Sequence, residues 1–276
     1  MPEMPEVETI RKTLAPHIEG RRITKVDLRL ERLVKLPADP EDFIARLEGR
    51  RVESLSRRGK YLCFQLDGAG DIFIVHLRMT GQLYFSPQGE TDRKYTRLAM
   101  LLDDGSSLLF ADLRTLGALY LVSQGEIPLI NGLHTLGPEP LAKDFTPNYL
   151  QDYLATRQTK IKSLLLDQRA IAGLGNIYAD EALFLAGIHP ERKAKTLNEQ
   201  ETGRLYEAVN KVIEAGLADG GTTFSDYRDA HGERGRHQDN LYAYQRTGNP
   251  CRVCGAEIKR LVIGGRSAHF CPVCQK

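Results

Sequence analysis

The residues best suited to chemistry stand at the two ends of the chain. It opens MPEMPEVETI, which puts Pro2, Glu3, Glu6 and Glu8 within the first eight positions. It closes on Cys251-x-x-Cys254 and Cys271-x-x-Cys274, with sixteen residues between the pairs. Two thiolates separated by two residues can hold one side of an ion, and two such pairs make a tetrahedral zinc site. Four thiolates leave no ligand position for water, so zinc held there is structural. Two adjacent disulfides are the alternative reading of the same spacing, disfavoured in a reducing compartment.

At the other end, Pro5 suits the first turn of a helix, Glu6 and Glu8 complement its positive pole, and Val7, Ile10, Leu14 and Ile18 form one apolar stripe. That helix explains Pro5 onward and leaves Pro2 and Glu3 without a structural reason. Removal of Met1, which a small second residue permits, would expose the secondary amine of Pro2. An α-amine titrates near ~8, far below a lysine, so part of it is unprotonated at neutral pH. A nearby helix N-terminus favours the neutral form, and a close Glu3 opposes it.

With 276 residues, 41% of them hydrophobic and 27% charged, the chain reads as a globular protein large enough for more than one domain. No apolar run reaches the length of a membrane span and no basic-then-apolar leader precedes the first helix, so the expectation is cytoplasmic residence without a membrane partner. The net charge of +2 argues neither for nor against an anionic partner. Cys63, in KYLCFQL, is expected to be an inert buried thiol of a strand.

The elements that must carry these residues change period along the chain. From about 22 to 123, stretches such as RITKVDLRL, KYLCFQL, DIFIVHLRM and ALYLV alternate like strands, separated by turn signals such as DGAG and DDGSS. Residues 124–145 show little periodicity and read as a linker. Thr146 with Pro147 marks a helix start running to about Gln158, a short helix follows in KIKSLLLDQ, the turn GLGN leads into a helix in IYADEALFLAG, and a longer helix spans about Asn198 to Leu217. The fold class is α+β, with a leading helix and β-sandwich over 1–123, a helical domain over 146–243 and a four-cysteine ribbon over 244–276.

From Gln245 to Lys276 the charge is one-sided, with Arg246, Arg252, Lys259, Arg260, Arg266 and Lys276 against Glu257 alone. Such a ribbon is a natural phosphate-binding surface, with solvated decoration as the plain alternative. Backbone N–H groups at the helix start at Asn176, with its side chain, could hold a phosphate, and Lys160 and Lys162 lie just upstream. Gly173 and Gly175 would equally serve a tight helix–helix turn.

Taken together, MPEMPEVETI, RRGKYL, HLRMTGQL, DLRTLG, LGPEPL, GLGNIYADEALF, GNPCRVCG and GGRSAHFCPVCQ resemble, in order and spacing, the bacterial formamidopyrimidine-DNA glycosylases. The resemblance covers the whole chain and implies a helix-two-turn-helix domain at 146–243. The implied activity is base-excision DNA repair on double-stranded DNA by a monomer holding one structural zinc. Oxidised purines such as 8-oxoguanine and formamidopyrimidines are removed, and the strand is cut by β,δ-elimination at the abasic site. It implies that Pro2 attacks C1′ of the damaged nucleotide through a Schiff base and that Glu3 moves the proton that opens the sugar ring. Lys60 is assigned to β-elimination and Arg266 to δ-elimination, although either could be described as a phosphate clamp.

By the same resemblance Met79, Arg114 and Leu116 fill the space left when the base flips out, with Arg114 reading the orphaned partner. Leu116 stands where the family commonly has phenylalanine, Tyr95 where histidine contacts phosphate, and Gln158 where a basic residue is common. Met79 and Leu116 also have a plain core reading. Residues 220–240 match the loop that closes over the flipped base, with a disordered surface loop as the alternative. Two rival functions remain: a non-catalytic DNA-binding zinc-ribbon protein that keeps Met1, and the pyrimidine-specific relative, endonuclease VIII.

Overall fold

The computed structural model describes residues 1–276, and the chain divides into two compact units. Residues 1–134 with 219–236 form the first, and residues 135–218 with 237–276 the second.

In the first unit, helix α1 (Met4–Ile18) starts at Glu3, whose N–H donates to Glu6 Oε2 at 2.7 Å in a capping box. Its stripe of Val7, Ile10, Leu14 and Ile18 enters a core shared by two sheets. The first sheet has strand order β1 (Ile23–Leu28), β7 (Thr96–Leu102), β8 (Ser107–Asp112) and β6 (Gly81–Ser86). The second runs β2 (Val34–Leu36), β9 (Ala118–Ser123), β5 (Asp71–His76), β4 (Tyr61–Leu66) and β3 (Val52–Arg58). Only β2 pairs in parallel, with β9. The expected β-sandwich with its leading helix is therefore present, and Leu62, Phe64, Phe73, Val75, Leu98, Phe110 and Leu119 fill it.

Two local expectations change. A helix, α2 (Pro40–Leu47), interrupts the strands, started by Asp39, whose carboxylate accepts the Glu41 N–H at 2.9 Å, and by Pro40. Cys63 is half-buried rather than a core thiol. Along β4, Leu62, Phe64 and Leu66 take the inward face, so the intervening Cys63 and Gln65 face a cleft on the outer side of the sheet, beside Ile74 and Leu133.

The second unit is helical, with α3 (Pro147–Ala155), α4 (Ile161–Leu165), α5 (Asn176–Ala186) and α6 (Glu199–Ala218). Thr146 caps α3 by accepting the Tyr149 N–H at 3.1 Å; the helix stops at Ala155, short of Gln158. α5 is buried nearly all round and packs on α6, where Gly216 leaves room for Tyr178: a Cβ there would lie 2.6 Å from that ring. The Glu181 carboxylate accepts the backbone N–H groups of Tyr242, Ala243 and Tyr244 at 2.7–2.9 Å, tying α5 to the segment that leads into the ribbon. The ribbon hairpin is β10 (Lys259–Ile263) paired with β11 (Arg266–Phe270). No helix is long and apolar enough to cross a membrane.

Candidate active site and zinc centre

In the first unit the chain end is enclosed. Pro2 and Glu3 are buried although the Met1 side chain is exposed. The terminal amine is held below its ordinary pKa chiefly by burial; Glu3 and Glu6 pull the other way, Lys60 adds to the fall and Asp226 opposes it. In the structure this amine belongs to Met1, one residue ahead of the amine that trimming would give to Pro2. Lys60, at the β3–β4 turn, is itself buried. Glu6 reaches both ways: Oε2 accepts the Glu3 N–H and Oε1 accepts the Thr222 N–H, both at 2.7 Å. Gly221 lies so close to that carboxylate, at φ +84°, that a Cβ would sit 2.9 Å from Glu6 Oε1.

Glu8 lies outside this group. Burial raises its carboxyl pKa, but the hydrogen bonds and charges of Arg11 and Arg57 outweigh this and leave it below the usual range.

A second cluster orders the loop after β8. Asp112 is fully buried; its Oδ1 accepts the Thr80 hydroxyl at 2.6 Å and the Arg114 N–H at 3.2 Å, and its Oδ2 accepts the Gly117 N–H at 2.8 Å. This fixes a turn with Thr115 at φ +55° and leaves Arg114 and Leu116 exposed. His76, at the end of β5, is buried; desolvation, with the charges of Arg78 and Lys60, pushes its pKa down to about 3, so the ring is neutral and its Nδ1 accepts the Arg78 N–H at 3.0 Å.

In the second unit the four cysteine Sγ atoms lie within 4.8 Å of one another. Tetrahedral Zn–S bonds of about 2.3 Å require sulfurs about 3.8 Å apart. The pairs Cys251 with Cys274 at 3.9 Å and Cys254 with Cys271 at 3.4 Å lie close to that spacing. Backbone N–H groups of Val253 and Cys274 point at Cys251 and Cys271 sulfurs at 3.4 Å, as befits thiolates. The donor set is that of a closed, structural zinc.

The family description "Formamidopyrimidine-DNA glycosylase N-terminal domain" matches residues 1–119, "Formamidopyrimidine-DNA glycosylase H2TH domain" residues 136–228, and "Zinc finger found in FPG and IleRS" residues 248–276. The chain belongs to the formamidopyrimidine-DNA glycosylase family. The formamidopyrimidine-DNA glycosylase of Heliobacterium modesticaldum is 47% identical over 280 residues, covering all of both chains. That of Bacillus subtilis is 40% identical over 275 residues, covering 100% of this chain and 99% of the relative. A crystal structure of a Lactococcus lactis variant in complex with DNA containing Fapy-dG superposes with a TM-score of 0.92 at 36% identity, covering 100% of both chains. The Lactococcus lactis protein in complex with DNA containing an abasic site gives 0.91 at 36% identity, covering 99% of both.

Within this family chain, Pro2, Glu3 and Lys60 gather around the amine in the first unit, while Arg266 stands exposed at the start of β11 in the second. Met79 is half-buried; Tyr95, at φ +67°, is exposed. Leu116 is 46% exposed, which removes its core reading. Gln158 is exposed after α3, and Asn176 opens α5 with its Nδ2 donating to Ser267 Oγ at 3.3 Å. Sequence reasoning missed Asp112 and His76. The first had a signal, an aspartate at a strand end before a glycine turn in DLRTLG; the second sat in HLRMTGQL without a partner in sequence to mark it.

Proposed function

We propose that this chain excises oxidised purines from double-stranded DNA, using Pro2 as nucleophile, and then nicks the strand at the abasic site. The observation that carries the reading is the enclosed chain end, with Pro2 buried, Glu3, Glu6 and Lys60 around it and the Met1 amine ahead of it drawn down in pKa by burial, in a member of this enzyme family. Once Met1 is removed, the neutral Pro2 nitrogen attacks C1′ of the flipped nucleotide and the base leaves with its electron pair, giving an aminal that becomes the iminium adduct when the C1′–O4′ bond breaks and O4′ takes a proton. A secondary amine makes that adduct permanently cationic, an electron sink for elimination. Glu3 donates and accepts the proton that opens the sugar ring. Lys60 serves β-elimination, and Arg266 assists δ-elimination by holding the departing phosphate, since a guanidinium is a poor proton donor.

Arg114 and Leu116, presented by the Asp112 turn, enter the vacated space with Met79; Tyr95, Gln158 and Asn176 contact phosphates. Cys251, Cys254, Cys271 and Cys274 hold the zinc that shapes the ribbon. The enzyme works in the bacterial cytoplasm on DNA. Intact mass together with borohydride trapping on DNA containing 8-oxoguanine tests this reading: a chain lacking Met1 and a covalent adduct are expected. Retained Met1 with no adduct would leave a non-catalytic DNA-binding protein. Release of thymine glycol in preference to 8-oxoguanine and formamidopyrimidines would move the chain to the pyrimidine-specific class.

A further inference from the structure

Asp180, on α5, lies wholly out of solvent and joins three elements of the second unit. Its Oδ1 pairs with Nζ of Lys162 on α4, whose side chain is equally enclosed. Its Oδ2 accepts the backbone N–H of His269 on β11 at 3.0 Å and lies 2.9 Å from Nδ1 of that ring. Lys162 Nζ also donates to the Asn176 carbonyl at 3.3 Å, so the same cluster reaches the first residue of α5. Along this seam Asn176 Nδ2 meets Ser267 Oγ, next in sequence to Arg266.

Apolar side chains could hold α4, α5 and β11 together at lower desolvation cost. They fix less closely how far the hairpin slides along the helix. A carboxylate that bonds the N–H at 269 does fix it, because a slip by one residue along β11 would carry the backbone N–H and the ring of His269 away from Oδ2, leaving that buried oxygen without the 269 N–H while Oδ1 keeps Lys162. Register at 269 fixes the position of residue 266 on the same strand.

We propose that Asp180 is a positioning residue for the second elimination: it sets β11 against the start of α5 so that Arg266 and Asn176 grip the DNA backbone at a fixed spacing. The inference rests on the reading of Arg266 and Asn176 as phosphate contacts. Asp180 itself touches no substrate; it acts through Arg266.

The test uses the full-length, zinc-loaded enzyme at saturating concentration on a duplex with a preformed abasic site, in single turnover. Asp180→Asn keeps the shape and removes the charge that Lys162 faces. Its borohydride-trapped adduct should match the wild type, since the amine belongs to the first unit. The second elimination should slow on the order of ten-fold, so that the β-eliminated strand accumulates. Combined with Arg266→Ala, the substitution should add nothing further to the loss of the second step. An unchanged ratio of β- to δ-product with full zinc content, or additive losses in the double variant, would overturn the proposal. If Asp180→Asn fails to bind zinc, Asp180→Glu decides by the same ratio, because it keeps the charge beside Lys162 and displaces by one methylene the oxygen that accepts the 269 N–H. A slowed second step supports the proposal and an unchanged one sinks it. Absence of an adduct from the wild type would count against the Pro2 reading instead.

Discussion

Burial holds the Met1 amine below its ordinary pKa, and a Pro2 amine freed in the same enclosure should likewise be neutral, and so nucleophilic, at pH values where a surface amine is mostly protonated. Adduct formation should therefore rise with pH and level off earlier than for a free α-amine. Rates of borohydride trapping measured across pH would show the plateau, and a plateau arriving later than expected for an exposed amine would contradict it. Pro2→Gly should keep adduct formation through a primary amine, whereas one residue added before Pro2 should abolish it; trapping by the extended chain would move the nucleophile elsewhere, Lys60 first. Leu116, exposed on its turn, can press apolar surface on a base stack but cannot stack by a ring. Leu116→Phe should then gain ~1–3 kcal/mol in duplex binding and speed base release, with little effect at a preformed abasic site. Equal release rates for the two side chains would exclude a wedge role.

Among the elements, the turn after β8 depends on one carboxylate. Asp112→Ala takes the acceptor from the Gly117 N–H and from the Thr80 hydroxyl, leaves the Arg114 N–H with Thr80 Oγ1 alone, and should cost about 1–3 kcal/mol of stability while slowing lesion release from duplex. Thermal melting and single-turnover release would check both, and a normal melt would remove Asp112 from this role. The strands themselves were legible because alternation of period two survives wherever one face is buried. α2 was not, although Asp39 and Pro40 announce it, because one short amphipathic helix between strands gives too few repeats to establish a period. Cys63 was misread because β4 carries apolar or aromatic residues on both faces, and only the partner sheet decides which face is the core. Asp112 depends on Thr80, which is 32 residues away, and no local pattern carries that pairing.

For the whole molecule, His76 sets an acid limit. It is neutral in the fold with a pKa of about 3, against the ordinary 6.5 of an unfolded histidine. The unfolded chain takes up the proton first, so its contribution is complete above about 6.5 and is lost as pH falls through that value toward about 3. His76→Gln should flatten that part of a stability–pH curve; an unchanged curve would show that other groups govern it. The zinc acts on the other unit. A chelator strong enough to take it should abolish DNA binding while the strand signal in circular dichroism persists, since the four thiolates and their ion organise a segment whose small apolar cluster already borrows Phe184 from α5. Arg266→Ala in the intact protein should lower the salt dependence of binding by about one unit, and an unchanged slope would take Arg266 out of phosphate contact. The zinc cluster and the N-terminal motif could be read from spacing alone, while the inclusion of residues 219–236 in the first unit could not, because it rests on bonds made across the length of the chain.

Those bonds also have a schedule. Glu6 and Thr222, joined in the finished unit, are 216 positions apart, and a ribosome adds about 5–20 residues per second. For most of the time the chain is being made, Thr222 has not yet been added, and the wall contributed by residues 219–236 does not exist. Pro2, buried in the finished unit, should be within reach of an aminopeptidase after it leaves the ribosome and before that segment arrives. Late arrival of one segment would thus leave the chain end time to be trimmed before its surroundings close.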